Sequence, residues 1–179
     1  AGRYEFVNIS DEKLFRIFEK FIFNFYKKHL TQTIYTQIKK ERLGWQETDY
    51  EGGIEDFLPT METDISLSNS ASKLVVECKF YESAIQARTI GDLNVKGTFI
   101  SNHLYQLFAY IKNLEIKDKS ILSGLLVYPE NGQKVDATYN MQGHKVSIKT
   151  INLNLSPHEI NHEMLNCLKA FQNVTLNEH

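Results

Sequence analysis

The sequence predicts a mixed α/β domain, and three stretches carry that prediction. Leu14, Phe15, Phe18, Phe21, Ile22, Phe25 and Tyr26 recur at helical spacing. Two alternating runs, 60–68 and 73–80, are joined by the polar Asn69-Ser70-Ala71-Ser72, the pattern of a β-hairpin. Ile121 to Tyr128 is a short, nearly continuous apolar run of the kind that fills a buried strand. With helical stripes before, between and after these strands, the order reads α–β–β–α–β–β–α around one core.

Ser10 reads as an N-cap, with Asp11 and Glu12 at the positive end of the helix dipole and Lys27, Lys28 and His29 at the other. A helix is expected from about Asp11 to His29. Thr31 to Gln46 reads as one extended segment ending near Trp45, interrupted by Lys39-Lys40-Glu41-Arg42. Glu47 to Pro59 is acidic, carries Gly52-Gly53 and reads as a loop. In 60–68, alternation puts Thr63, Ile65 and Leu67 on one face and Glu62, Asp64 and Ser66 on the other. In 73–80 it puts Leu74, Val76, Cys78 and Phe80 on one face and Val75, Glu77 and Lys79 on the other. Tyr81 to Phe99 has weak periodicity, Gly91 and Gly97, and is expected to be a loop or partly ordered flap. Ser101 or Asn102 opens a second helix, with Leu104, Leu107, Phe108, Ile111 and Leu114 as its stripe. Pro129-Glu130-Asn131-Gly132 is a turn, and Lys145 to Leu153 alternates as a strand. Ser156 caps a final helix, with Pro157 at its first position, running to about Gln172.

The 179 residues make one domain, and with no initiator Met we expect a fragment, or the C-terminal domain, of a longer chain. Hydrophobic residues are 42% and charged residues 23%, which excludes disordered and low-complexity classes. No apolar run approaches the roughly 18 residues of a membrane span, and no signal-peptide h-region is present. Two cysteines, Cys78 and Cys167, are too few for a disulfide framework or an iron–sulfur cluster, so the cytosol is the expected compartment. The net charge of −2 argues against a general basic coat for nucleic acid. It leaves room for a local basic groove around an acidic, metal-binding centre.

The hairpin carries the chemistry. Asp64 on one strand and Glu77 and Lys79 on the next are assigned to one face, where three charged groups are costly unless a metal or solvent compensates them. Asp64 and Glu77 can give oxygens to Mg²⁺, with Mn²⁺ as substitute, and the backbone carbonyl of Cys78 can add another. Lys79 beside the metal can hold an attacking water and stabilise developing charge. The plainer alternative is a surface hairpin with a cross-strand ion pair.

These residues resemble a family. Asp64 followed by Glu77-Cys78-Lys79 is similar to the core motif of the PD-(D/E)XK nucleases. More narrowly, Leu58-Pro59-Thr60-Met61-Glu62-Thr63-Asp64-Ile65 resembles the nuclease domain of McrC, the cleavage subunit of the McrBC modification-dependent restriction system. Leu14-Phe15, Phe18-Glu19-Lys20-Phe21, the Trp45 strand end and His103-Leu104-Tyr105-Gln106-Leu107-Phe108-Ala109-Tyr110 add to the resemblance, which covers roughly Asp11 to Tyr128. Glu77 departs from the Asp of many McrC proteins but is an accepted alternative in the superfamily. The resemblance implies a restriction-endonuclease-like mixed sheet flanked by helices, and a Mg²⁺-dependent DNA endonuclease. It implies a metal-proximal Glu19 from the first helix, and a Gln106–Tyr110 pair contacting DNA beside the metal. It also implies a McrB-like GTPase ring as partner, engaged through a region not in this chain, and leaves a homodimer open. A RecB-like exonuclease and a non-catalytic DNA- or partner-binding module on the same fold are the alternatives.

Lys39, Lys40 and Arg42, with Lys27 and Lys28, form the main basic cluster and could follow a phosphate backbone, as could Arg88 and Lys96. His103 reads as a surface residue of a first helical turn. His158-Glu159-Ile160-Asn161-His162 formally matches a zinc-protease signature, but it opens an amphipathic helix with no third ligand following, and reads as a surface face. No phosphate-binding Gly-rich loop and no Gly-x-Ser-x-Gly elbow occur.

Overall fold

Twelve elements are present in the computed structural model, which describes residues 10–30, 34–46, 58–80, 84–90 and 93–172. They are α1 (Asp11–Leu30), β1 (Gln37–Leu43), β2 (Met61–Ser68), β3 (Ser72–Cys78), β4 (Ile85–Ile90), β5 (Leu93–Phe99), α2 (Ser101–Glu115), β6 (Ile121–Pro129), β7 (Asp136–Met141), β8 (His144–Ile151), α3 (Pro157–Asn166) and α4 (Lys169–Gln172). Six strands form one mixed sheet in the order β1-β2-β3-β6-β8-β7, and β4 and β5 pair separately. The central pairs β3–β6 and β6–β8 are parallel, and the outer ones antiparallel. Helices on both faces of this sheet give the restriction-endonuclease-like mixed α/β architecture expected from the sequence.

Strand alternation splits the core in two. Ile65, Leu67, Leu74, Val76, Cys78, Leu125, Val127 and Ile151 face α1 and the α3–α4 segment. Val75, Leu122, Leu126, Tyr128, Val146 and Ile148 face α2. Helix α1 buries Phe18, Ile22, Phe25, Tyr26 and Leu30, and its Tyr26 hydroxyl donates to the Met164 carbonyl at 3.2 Å, pinning α1 to α3. On the other face α2 packs so closely that a Cβ at Gly124 would lie 2.8 Å from both Leu107 and Ile111 side chains. Only glycine lets the helix approach β6 this far, and that approach sets the distance from α2 to the end of β3.

Local chemistry explains the boundaries. Ser156 and Glu159 form a complete capping box at the start of α3, with Pro157 at its first position. Asn69 Oδ1 accepts the N–H groups of Ala71 and Ser72 and closes the β2–β3 turn.

Four expectations change. The 60–68 run does not alternate throughout. Lys39 pairs with Ser66 but Glu41 with Thr63, so two residues of β1 span three of β2. The bulge slips the register by one, so the Thr63 hydroxyl meets Ser66 Oγ at 3.1 Å instead of following Ile65 and Leu67. Within the expected flap, β4 and β5 form an antiparallel hairpin, Ile85 opposite Phe99 and Ile90 opposite Leu93. Backbone pairing holds it, and weak side-chain periodicity cannot reveal that. Strand β7 was not expected, because it is an exposed edge with few apolar residues. The turn joining it to β8 uses Gln142 at φ 49° and Gly143 at φ 87°, the left-handed pair a two-residue hairpin loop demands. Finally, the last helix breaks after Asn166, where Cys167 and Leu168 turn into the core, and resumes as α4. Residues 47–57 of the acidic loop lie outside the described residues, as do 81–83 and 91–92 of the flap.

Candidate active site

The bulge in β2 places Asp64 at the mouth of the β2–β3 pair. Regular pairing begins at Ile65–Val76, and ahead of it side chains replace the ladder. Asp64 Oδ2 accepts the Cys78 N–H at 2.8 Å, and the Asp64 N–H donates to Glu77 Oε1 at 3.2 Å. Glu77 Oε2 in turn accepts from Lys79 Nζ at 3.2 Å. Lys79 Nζ also donates to Gln106 Oε1 at 2.8 Å, and Gln106 Nε2 to the Tyr110 hydroxyl at 2.9 Å. Asp64, Glu77, Lys79, Gln106 and Tyr110 therefore form one hydrogen-bonded chain from β2 through β3 to α2.

Burial dominates its electrostatics. Glu77 is 1% exposed. Burial and the neighbouring Asp64 push its carboxyl up to about 7, against the pull of Lys79. Burial pushes Asp64 up to about 6, although the Cys78 N–H and Lys79 draw it down. Lys79 contacts Glu77 and acts on Asp64 only through its charge, and the two carboxyls titrate as a pair. The fold thus gathers more negative charge than it neutralises.

Two carboxylates short of positive charge are the donor set a hard divalent cation wants, and Mg²⁺ fills its remaining positions with water. Asp64 and Glu77 would hold it. Among the described residues, no group of three or more His, Cys, Asp or Glu side chains is arranged to hold a metal. Glu19 is buried on α1 and ion-paired with Lys40 of β1. Its charge still reaches Asp64, whose carboxyl it raises while Lys40 lowers it. The hydrogen bond to Glu19 raises the Lys40 ammonium, against a smaller opposing effect of burial.

The other basic residues of β1 stay outside this chain of contacts. Lys39 lies 3.6 Å from Glu41, and Arg42 bonds Glu62 at 3.0 Å, both largely in solvent. Lys27 and Lys28 are exposed near the end of α1. Arg88 and Lys96 sit on β4 and β5. Cys78 packs in the core beneath the site, where burial pushes its thiol well above the usual value. His158 and His162 are exposed, as expected of a surface face.

His103 is a correction. It is buried, not superficial, and its Nδ1 lies 2.8 Å from the Tyr128 hydroxyl. Burial and the charge of Lys79 push it down to about 4, so it is neutral at physiological pH. The signal was its position three residues before Gln106, which puts both on one helix face. A cleft of about 1010 Å³ opens beside it, lined by Lys79, Phe80, His103, Gln106, Pro129 and Leu153 among others. These residues lie past the carboxyl ends of the parallel strands β3, β6 and β8 and on the first turns of α2. That is where open α/β sheets place ligands.

The chain is 29% identical over 172 residues, 95% of its length, to the type IV methyl-directed restriction enzyme EcoKMcrBC of Escherichia coli strain K12. The chain is thus similar to a methyl-directed restriction enzyme over nearly all of its own length. It spans about half of that relative, 47% of its length. No protein-family model matches. Among the described residues, no helix is long and apolar enough to cross a membrane.

Proposed function

We propose that this chain is the DNA-cleaving domain of a modification-dependent restriction system, a Mg²⁺-dependent endonuclease acting at Asp64, Glu77 and Lys79. The observation that carries the reading is the under-neutralised carboxylate pair in contact with Lys79 at the edge of a cleft. Similarity to a restriction enzyme over nearly the whole chain supports it.

Asp64 and Glu77, with the Cys78 carbonyl, would hold the cation. When bound, it would supply Lewis-acid polarisation of the phosphate and a lowered pKa for the attacking water. Lys79 is fixed between Glu77 and Gln106, so its ammonium can orient that water and meet the charge that grows on the phosphoryl oxygens. Gln106, braced by Tyr110, keeps Lys79 aimed and offers polar contacts to DNA in the cleft. Lys39 and Arg42 stand exposed on β1 for the flanking backbone.

A chain of net charge −2 neutralises few phosphates, and weak, salt-sensitive binding cannot select sites in a genome. Target choice then falls to a recognition partner, by resemblance a GTPase ring reading methylated DNA. The test is relaxation of closed-circular plasmid in Mg²⁺, with Asp64→Asn and Glu77→Gln as controls. Internal cutting abolished in both variants is expected. Cutting from ends alone would favour a RecB-like exonuclease. Absence of carboxylate-dependent Mg²⁺ binding in calorimetry would mark a non-catalytic module.

A further inference from the structure

The Glu19–Lys40 pair joins a buried group to a half-exposed one. The Glu19 side chain is 11% exposed and that of Lys40 48%. The bulge explains why they meet next to Asp64. Lys40 is the β1 residue skipped by the register, between Lys39 opposite Ser66 and Glu41 opposite Thr63, so it faces the slip at Asp64–Ile65. The distortion that aims Asp64 into the site also brings Lys40 beside it. Of the β1 cations, Lys39 contacts Glu41 on its own strand and Arg42 contacts Glu62 on β2, whereas Lys40 reaches across to α1. An ion pair with one partner in water is weak and exchanges readily. A phosphate is an equal or better partner for that ammonium.

We propose that Lys40 is a substrate-operated latch: it holds Glu19 until a DNA phosphate takes the ammonium, and Glu19 then adds its carboxylate to Asp64 and Glu77 around the cation. The inference rests on the function proposed above. It makes Lys40 a positioning residue and couples cation affinity to substrate. Without DNA, Glu19 is committed to Lys40 and the cation site has two carboxylates. With DNA it has three, so the cation is held firmly only where there is a bond to cut. Coupling of this kind is reciprocal: DNA tightens cation binding by the factor by which the cation tightens DNA binding.

The experiment is a calorimetric titration of Ca²⁺, which does not support cutting in this reading, onto the whole chain with and without a short duplex. Fluorescence anisotropy of the labelled duplex gives the reciprocal measurement. The wild type is expected to bind Ca²⁺ about tenfold more tightly with duplex. Lys40→Gln should bind Ca²⁺ without duplex about as tightly as the wild type does with it, leaving little further enhancement. Lys40→Arg, which keeps the ion pair, should behave as the wild type. Glu19→Gln should bind weakly in both states. An unchanged duplex-free affinity in Lys40→Gln would overturn the latch, as would an undiminished duplex enhancement in Glu19→Gln, which would mean that DNA phosphates alone tighten the cation. Full Ca²⁺ binding by Asp64→Asn and Glu77→Gln would instead overturn the cation site itself.

Discussion

The two ends of the β2–β3 hairpin each bury a lysine beside two carboxylates, and they treat them oppositely. At the turn end, Lys73 Nζ lies 2.8 Å from Asp118 and 3.3 Å from Glu41. Asp118 also accepts from the backbone N–H and hydroxyl of Ser120. Burial pushes Asp118 up, but these bonds outweigh it and hold the carboxyl at about 2. Burial draws Lys73 down, and the two carboxylates raise it. At the open end, Lys79 touches Glu77 but shares its remaining reach with Gln106, and both carboxyls rise toward neutrality. The same residue types make a neutralised brace at one end and a charge-starved pair at the other. Direct contact with both carboxylates, and the extra donors of Ser120, make the difference.

The largest effect should separate the two ends by activity. Glu77→Ala and Asp64→Ala should reduce plasmid cleavage by more than about 10³-fold, and Lys79→Ala somewhat less, because a bound cation alone activates water. Cleavage that survives in either carboxylate variant breaks the assignment.

Next in size, Lys73→Ala should cost about 3 kcal/mol in urea unfolding, because it strands two partly buried carboxylates. Loss under about 1 kcal/mol would mean that the turn end is no brace.

The pH dependence should have opposite signs. Glu77 has a raised pKa, so the folded chain keeps a proton that the unfolded chain has released between pH 4.5 and about 7. Stability falls as pH rises through that window. Glu77→Gln, in metal-free buffer, should match the wild type near pH 4 and exceed it above pH 7 by on the order of 1–3 kcal/mol. Asp118 has a lowered pKa, so its contribution is present above pH 3.8 and lost as pH falls toward about 2. Asp118→Asn should therefore be less stable than the wild type at neutral pH by about 1–2 kcal/mol, converging in acid. Thermal melts of both variants across pH 3–8 decide it, and matching signs would erase the contrast.

The smallest effect concerns the exposed cations of β1. Lys39→Ala or Arg42→Ala should each lower the salt dependence of DNA binding by about 1 in the log–log slope. Unchanged slopes would move the DNA path elsewhere.

The sequence by itself determined the helices, the hairpin and the identity of the residues in the candidate site. Helical period, caps and turn chemistry act over a few residues, so α1, the Asn69 turn and the Ser156 capping box are legible without a fold. Asp64, Glu77 and Lys79 were legible because a hairpin brings residues on adjacent strands together. Edge strand β7 and the β4–β5 pair were not: backbone pairing makes them, and exposed positions need no apolar rhythm. Only the tertiary structure decided how the site is built. A one-residue bulge, invisible to alternation, turned Asp64 to Glu77 and set Lys40 beside it. The close seat of α2 on Gly124 brought Gln106 to Lys79 and buried His103. Residue types state which charges a chain can offer. Burial and distance, which arise when distant segments pack, decide whether those charges are neutralised or left wanting a partner.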